Sequence, residues 1–331
     1  MIKVAMFDSK PYDIDSFERL KGDNLKIKYF ETKLTADTAE LAKGYDAVIV
    51  FVNDTVDADV IDLLSSFDVE LVALRCAGFN NVNLKAAKDK IKVIRVPAYS
   101  PHAVAEHALG MLLTSVRRIH KAYIRSKDFN FSLNNLTGFN LNGKTMGVIG
   151  TGKIGKVFCK ICKGFGMNVI AYDLYPDKEF DVEYTDLDTL LKKSDIISLH
   201  CPLTKENYHM IDDSAISRMK KGAIIINTSR GSLVDAEALL EAIKDKKIGG
   251  ACLDVYEEES DLFFEDNSAH IVHDDILARL ISMPNVLITS HQAFLTNEAL
   301  ENIAETTLSG IDEYFETGSL KNEVKYIPRQ K

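Results

Sequence analysis

The sequence has no tryptophan, only seven prolines and 18 glycines in 331 residues, and no apolar run near the roughly 18 residues that a membrane-spanning helix needs. So few helix breakers argue against long disordered tracts, and a composition of 46% hydrophobic and 27% charged residues is typical of a folded protein. Basic charge is also scarce, since 40 Lys and Arg face 49 Asp and Glu and give a formal net charge of -9. An acidic surface repels phosphate backbones and anionic headgroups, so we predict no nucleic-acid and no membrane partner.

Cysteine is infrequent and irregularly spaced. Five cysteines, an odd number, fit reduced thiols better than a disulfide framework. Cys159 and Cys162 form a C-x-x-C pair, but no second pair completes a zinc site, so we interpret both as core thiols. The H-x-x-H pair of His270 and His273 also lacks supporting ligands at suitable spacing, and we predict no metal. The chain opens directly on a strand-like segment at 2–7, and we expect a cytoplasmic protein.

Two series of alternating apolar strands and helices follow each other along the chain. The first predicts strands at 2–7, 27–30, 47–52, 71–74 and 93–96, with helices at 35–43, 58–67 and 84–90. A long helix at 103–121 precedes the second, which predicts strands at 145–149, 169–172, 196–199, 224–227, 251–254 and 286–289 and a last helix at 297–317. This alternation is typical of parallel sheets wrapped by helices, and the length suggests more than one core. We therefore predict an α/β fold with two doubly wound parallel-sheet domains.

A glycine-rich motif directly follows the first strand of the second series. Gly150, Gly152 and Gly155 form G-x-G-x-x-G, in which the first glycine permits a tight turn, the second admits a pyrophosphate and the third lets the following helix pack closely. Asp173 ends the next strand, where a carboxylate can accept hydrogen bonds from ribose hydroxyls. The segment 174–176 offers no basic side chain for a 2′-phosphate. These features predict a dinucleotide site that favours NAD over NADP.

Three later strands end in unusual polar segments, at 227–231, 254–259 and 290–294. Because ligands bind at the carboxyl ends of the strands in an open α/β sheet, these segments can converge on one cleft. Arg230 can clamp a carboxylate, His291 can exchange a proton near neutral pH, and a neighbouring carboxylate can keep that histidine protonated. From the residues alone, any of the four acids in the run 257–261 could be that carboxylate.

Together these motifs resemble the D-isomer-specific 2-hydroxyacid dehydrogenases over essentially the whole chain. The segments 74–81, 95–101, 201–204 and 291–296 resemble in particular the fermentative D-lactate dehydrogenase branch of that family. The resemblance implies reversible hydride transfer between NADH and a small 2-oxo acid, with pyruvate the first candidate. The alternatives are the same chemistry on a bulkier 2-oxo acid and a non-enzymatic NAD-sensing binding protein of the same fold.

The resemblance also implies a role for each matching residue. Arg230 orients the substrate, Glu259 keeps His291 protonated, and His291 donates a proton to the carbonyl oxygen. The residues that match substrate contacts are Ala77, Gly78, Tyr99 and Phe294, the last limiting the side-chain pocket. The residues that match cofactor contacts are Gly150, Gly152, Lys153, Ile154, Gly155, Asp173, Cys201, Pro202, Asn207, Thr228, Ser229 and Asp254.

The domain organisation that the resemblance implies is discontinuous. A flavodoxin-like substrate domain comprises 1–100 plus 297–331, and a Rossmann NAD domain comprises 101–296 between them. Relatives of this kind pair through the cofactor domain, which implies a homo-oligomer, either a dimer or a dimer-based tetramer.

Overall fold

The computed structural model describes residues 1–258 and 262–326. The chain divides into two compact units, one formed by Met1–Ser100 with the chain from Leu295 onward and the other by Pro101–Phe294. Both units are built on parallel sheets flanked by helices, which confirms the predicted α/β class.

The first unit contains a five-stranded sheet of order β2-β1-β3-β4-β5, the flavodoxin-like order, in which the chain reverses direction across the sheet beside β1. Its strands are β1 (Ile2–Met6), β2 (Leu25–Tyr29), β3 (Ala47–Val50), β4 (Leu71–Leu74) and β5 (Lys92–Arg95). Its helices are α1 (Pro11–Leu20), α2 (Ala58–Ser66), α3 (Leu84–Ala87) and α11 (Asn297–Thr317), with a 3-10 turn at Ala39–Ala42. All four residues of β3 and of β4 are buried, as expected for central parallel strands covered on both faces.

In this unit one helix was not predicted, and one predicted helix was wrong. Helix α1 was not predicted, and two of its three buried residues, Asp13 and Ser16, are polar, so its buried face is not a purely apolar stripe. The helix predicted at 35–43 is only a short 3-10 turn. The hydroxyl of Thr38 donates to the Lys33 carbonyl at 2.7 Å and so offers the backbone an alternative to the helix.

The second unit contains a seven-stranded sheet of order β12-β11-β10-β9-β6-β7-β8, which is the Rossmann order extended by one strand. Its strands are β6 (Thr145–Ile149), β7 (Asn168–Tyr172), β8 (Glu183–Tyr184), β9 (Ile196–Leu199), β10 (Ala223–Asn227), β11 (Ile248–Leu253) and β12 (Val286–Ile288). Its helices are α4 (Pro101–Arg117), α5 (Ile119–Lys127), α6 (Lys153–Gly164), α7 (Leu187–Lys193), α8 (Asp213–Arg218), α9 (Ala236–Lys244) and α10 (Asp275–Ser282), with a 3-10 turn at Gly231–Leu233.

The second unit also departs from prediction at two places. The long helix predicted to reach 121 ends at Arg117, because Arg118 has a left-handed φ of 53° and starts a new helix, α5. The two-residue edge strand β8 was not predicted. It pairs with β7 through Ala171 and Tyr184.

The described residues contain no group of three His, Cys, Asp or Glu placed to hold a metal ion. No helix among them is both long and apolar enough to cross a membrane. All five cysteines are free thiols, and all but Cys201 are buried.

Candidate active site

The glycine motif forms the turn between β6 and α6. Gly150 has a φ of 93°, and a Cβ there would lie 2.7 Å from backbone atoms of His200. A Cβ on Gly155 would lie 2.0 Å from the Gly150 carbonyl oxygen, so α6 can pack this closely only with glycine. At Gly152, the N-cap of α6, a Cβ would meet no described atom within 4 Å. Open space therefore faces a helix N-terminus, where backbone amides and the helix dipole favour an anion such as a pyrophosphate.

Asp173 follows β7 beside this turn. Its Oδ2 accepts the Thr151 N–H at 2.6 Å and the Thr151 hydroxyl at 3.0 Å, and its Oδ1 accepts the Tyr175 N–H at 2.8 Å. Burial alone would raise the pKa of this carboxyl, but these hydrogen bonds and the charge of Lys156 outweigh it and hold the pKa below its usual value. An ionised carboxylate at this place can accept a ribose hydroxyl and repels a 2′-phosphate.

The ends of β9 and β10 carry further predicted cofactor residues. Thr228 is buried, and its Oγ1 has no hydrogen-bond partner among the described residues. Such a hydroxyl is costly unless a ligand pairs with it, so it fits a bound group. The Asn207 side chain instead forms hydrogen bonds within its own loop. Its Nδ2 donates to the Pro202 carbonyl at 2.8 Å, and its Oδ1 accepts the Thr204 N–H at 2.7 Å. It therefore sets the shape of the loop that carries Pro202.

Backbone hydrogen bonds tie the three polar strand ends together. The Asp254 N–H donates to the Asn227 carbonyl at 2.9 Å, and the His291 N–H donates to the Asp254 carbonyl at 2.7 Å. The ends of β10, β11 and β12 therefore lie side by side within one unit. Arg230 and His291 follow the first and last of them.

The loop that carries Arg230 packs against the start of the acidic run. The Asn227 side chain donates to the Arg230 carbonyl at 2.8 Å, and the Ser229 hydroxyl donates to the Leu199 carbonyl at 2.8 Å. A Cβ on Gly231 would lie 2.0 Å from the carbonyl carbon of Tyr256. The spacing between this loop and the acidic run is therefore fixed by direct contact of two backbones.

Glu257, the first of the four acids in the run, has structural partners. The Oε2 of Glu257 lies 2.7 Å from the His209 Nε2, and its Oε1 accepts the Ala236 N–H at 3.2 Å, at the start of α9. Glu257 is therefore engaged in holding these elements together. Glu259, the acid that the family resemblance selects, and Asp261 lie outside the described residues.

The carboxylate of Asp254 organises the turn that carries His291. It is fully buried, and its two oxygens accept the N–H groups of Gln292 and Ala293, each at 2.9 Å. The His107 Nε2, on α4, lies 3.3 Å from Oδ1. Burial alone would raise the pKa of Asp254, but the hydrogen bonds from His107 and from other donors outweigh it and lower the pKa.

His291 itself has a left-handed backbone with a φ of 53°. This conformation is uncommon for a non-glycine residue, and here hydrogen bonds from the backbone of 291–293 to Asp254 support it. The ring of Phe264 lies 5.7 Å from the imidazole, centroid to centroid. The side chain is half-buried.

The predicted substrate residues are divided between the two units. In the first unit, Ala77 and Gly78 follow β4, and the Arg95 guanidinium fixes this segment by donating to the Ala77 carbonyl at 2.7 Å. Tyr99 follows β5 and is half-buried. Phe294, at the end of the second unit, is buried.

Residues 109–293 match the family described as D-isomer specific 2-hydroxyacid dehydrogenase, NAD binding domain. The chain belongs to this family. D-lactate dehydrogenase of Escherichia coli strain K12 is 51% identical over 328 residues, which span 98% of this chain and 100% of that protein. The apo-structure of D-lactate dehydrogenase from Escherichia coli has a TM-score of 0.90 at 48% identity and covers 98% of this chain and 100% of its own. The NAD-complexed D-isomer specific 2-hydroxyacid dehydrogenase from Lactobacillus delbrueckii ssp. bulgaricus has a TM-score of 0.82 at 34% identity, with coverage of 98% and 100%.

Family membership makes this chain an NAD-dependent oxidoreductase. The residues of the site fit that cofactor. The open N-terminus of α6 suits a pyrophosphate, the ionised Asp173 suits a ribose without a 2′-phosphate, and the buried Thr228 hydroxyl still has a hydrogen bond to make to a ligand.

The sequence analysis missed three side chains that shape this site. Thr151 and Tyr184 lie in contact beside Asp173, and His107 lies beside Asp254. Thr151 stands at a variable position of the glycine motif, Tyr184 lies in the unpredicted strand β8, and His107 looked like an ordinary helix residue. No local sequence signal distinguished them.

Proposed function

We propose that this chain is an NAD-dependent D-lactate dehydrogenase, which converts pyruvate, NADH and a proton reversibly into D-lactate and NAD. The observation that carries the proposal is that Arg230 and His291 follow β10 and β12, the two strands on either side of β11, whose end carries Asp254, in the unit that also presents the dinucleotide turn. The 51% identity to a D-lactate dehydrogenase over nearly the whole chain supports the choice of substrate.

Each catalytic side chain has a distinct task. Bound NADH supplies hydride to the carbonyl carbon of the substrate. The Arg230 guanidinium binds the substrate carboxylate through two hydrogen bonds. His291 enters as the imidazolium and donates a proton to the carbonyl oxygen as negative charge develops there, and Glu259 favours this protonated form. In the reverse direction, neutral His291 accepts the hydroxyl proton of D-lactate.

We assign substrate binding to the unit of Met1–Ser100 with the chain from Leu295 onward, and cofactor binding to the unit Pro101–Phe294. Backbone amides of Ala77 and Gly78 and the side chain of Tyr99 would hold the substrate carboxylate. Phe294 would limit the pocket for the substrate side chain, which favours the methyl group of pyruvate over larger groups.

We also propose a homo-oligomer, a dimer or dimer-based tetramer, that forms through the cofactor unit. The support is a patch of large apolar side chains, each more than half exposed, on α5 and the loop after it: Ile119, Tyr123, Ile124, Phe129, Phe131 and Leu133. Apolar patches of this kind usually mark contact sites. The five free thiols support a reducing, cytoplasmic location.

Steady-state turnover of pyruvate with NADH tests the function. We expect His291→Ala to lower kcat by about 10²- to 10⁴-fold, because it removes the proton donor. Arg230→Ala should mainly raise KM for pyruvate, because it removes the carboxylate clamp. His270→Ala, which changes an exposed histidine, is the matched control and should leave both constants unchanged.

The alternatives predict different results. Full activity in His291→Ala would reject the proton-transfer role. Higher kcat/KM on branched or aromatic 2-oxo acids than on pyruvate would indicate a dehydrogenase for bulkier substrates. Cofactor binding that changes the oligomeric state without turnover of any 2-oxo acid would favour a non-enzymatic NAD sensor.

A further inference from the structure

A chain of hydrogen bonds leads from the edge of the second sheet to Asp173. The Asp177 N–H donates to the Tyr184 hydroxyl at 3.3 Å, and that hydroxyl lies 2.9 Å from the Thr151 Oγ1. The Thr151 hydroxyl in turn lies 3.0 Å from the Asp173 Oδ2. Thr151 is buried and Tyr184 is half-buried, so water competes little for these contacts.

The two ends of this chain fix the direction of every bond in it. A backbone N–H can only donate, and an ionised carboxylate can only accept. The single proton of the Thr151 hydroxyl goes to Asp173, so the Tyr184 hydroxyl must donate to Thr151 and accept from Asp177. All donors therefore point toward the Asp173 carboxylate, and hydrogen bonds aligned in this way strengthen one another.

These hydrogen bonds hold the Oδ2 atom of the Asp173 carboxylate and leave Oδ1 able to bind a ligand. Among the described contacts, Oδ2 accepts two bonds from Thr151, whereas Oδ1 accepts one, from the Tyr175 N–H. A carboxylate oxygen has two lone pairs, so Oδ1 retains capacity for a ribose hydroxyl. Rotating or protonating the Asp173 carboxylate to admit a 2′-phosphate would break the bonds at Oδ2.

Lys156, whose charge acts on Asp173, is also engaged. Lys156, on the first turns of α6, forms an ion pair with Asp177, the residue whose N–H begins the chain. Its ammonium group is therefore already paired with a carboxylate. The pairing also fixes the segment after β7 that faces Tyr184.

We propose that Thr151 and Tyr184 are positioning residues that set the preference for NAD over NADP by fixing the carboxylate of Asp173. This inference rests on the proposed function only in assigning Asp173 to the adenosine ribose. Tyr184 lies on β8, opposite Ala171 of β7, which places its hydroxyl beside the glycine turn.

Equilibrium binding of NADH and NADPH, followed by the fluorescence of the cofactors themselves because the chain has no tryptophan, tests the proposal. Thr151→Val keeps the shape and the backbone N–H but removes the hydroxyl. We expect it to lower the ratio of the NADPH Kd to the NADH Kd about tenfold, or about 1.4 kcal/mol. Tyr184→Phe, one bond further away, should lower the ratio about threefold, and Thr151→Ser should restore it.

Two further variants keep the outcome interpretable. Thr189→Val removes a hydroxyl that donates to Asp186 at 2.7 Å at the start of α7, and it should leave the ratio unchanged. Asp173→Ala should abolish most of the discrimination by itself, and Thr151→Val should add nothing in that background. If Thr151→Val does not fold, Tyr184→Phe provides the same comparison.

Failure of this inference and failure of the ribose assignment give different results. An unchanged ratio in Asp173→Ala would reject the assignment of Asp173. A lowered ratio in Asp173→Ala with an unchanged ratio in Thr151→Val and Tyr184→Phe would overturn the positioning role. An equal effect of Thr151→Val with and without Asp173 would also overturn it, because the hydroxyl would then act by another route.

Discussion

Replacing Gly231 with alanine should separate two segments that the proposed mechanism requires at a fixed distance. A Cβ at this position would lie 2.0 Å from the Tyr256 carbonyl carbon and 2.3 Å from the Glu257 nitrogen. Both are backbone atoms, so no side-chain rotation relieves the overlap. Ordinary contact begins at 3.4 Å, so one segment must move by about 1.4 Å.

This displacement would move residues that the proposed mechanism uses, on either side of the contact. Arg230 directly precedes Gly231, and Glu259 follows Glu257 by two positions. Misplacement of a catalytic group by about 1 Å can cost about 10²-fold in rate. We therefore expect kcat/KM for pyruvate to fall by about 100-fold or more in Gly231→Ala, and stability to fall by about 1–3 kcal/mol from overpacking.

Steady-state kinetics, NADH binding and urea unfolding together test this expectation. The Kd for NADH should change less than kcat/KM, because the glycine turn follows β6, which β9 separates from β10, and among the predicted cofactor residues only Thr228 and Ser229 share the loop of Gly231. Gly110→Ala is the control, since Gly110 is exposed on α4 and a Cβ there meets no described atom within 4 Å. It should stabilise the helix by up to about 1 kcal/mol and leave kcat/KM unchanged. A folded Gly231→Ala protein with near-normal kcat/KM would refute the reasoning.

Two further predictions concern acid stability and assembly. Because hydrogen bonds hold the folded-state pKa of Asp254 below its ordinary value of about 3.9, its ionisation stabilises the fold above that pH, and this stability is lost as the pH falls through the lowered pKa. Urea unfolding at neutral and acid pH should show a larger loss on acidification for the native protein than for Asp254→Asn, and equal losses would contradict the contacts described for this carboxylate. Phe129→Ser combined with Leu133→Ser should shift the light-scattering mass toward the monomer with unchanged secondary structure; an unaltered oligomer would argue against the proposed interface.

The sequence predicted most of the fold because central parallel strands are continuous apolar runs. Strands β3 and β4 are buried at every position, so their sequences show the burial directly. Helix α1 buries the polar residues Asp13 and Ser16 beside Phe17, so its buried face is not a purely apolar stripe, and β8 has too few residues to show a strand period. Both elements were missed because the prediction relies on apolar residues that mark buried positions.

Some residues of the candidate site were predicted from the sequence and others were not. Asp173, Arg230 and His291 follow strands, and the rule that ligands bind at the carboxyl ends of parallel strands made them visible. Thr151 and Tyr184 meet only because β8 pairs beside β7, and that order is a property of the whole sheet. Contacts that depend on sheet order have no local signature, which is why the residues that position the site were missed while those proposed to act in it were found.

Asp54, Asp173 and Asp254 each accept two backbone N–H groups, yet their pKa values shift in different directions. Asp54, in the first unit, accepts the N–H groups of Leu34 and Phe51, each at 2.6 Å, yet burial prevails and raises its pKa to about 6. Asp173 and Asp254 each accept a side-chain hydroxyl as well, and their pKa values are lowered. Asp254 is as fully buried as Asp54, so burial alone does not decide the sign. At Asp254 the His107 imidazole and the Thr289 hydroxyl add to the two backbone donors and offset the burial, whereas Asp173 is only half-buried and Asp54 lies near the like charge of Asp8.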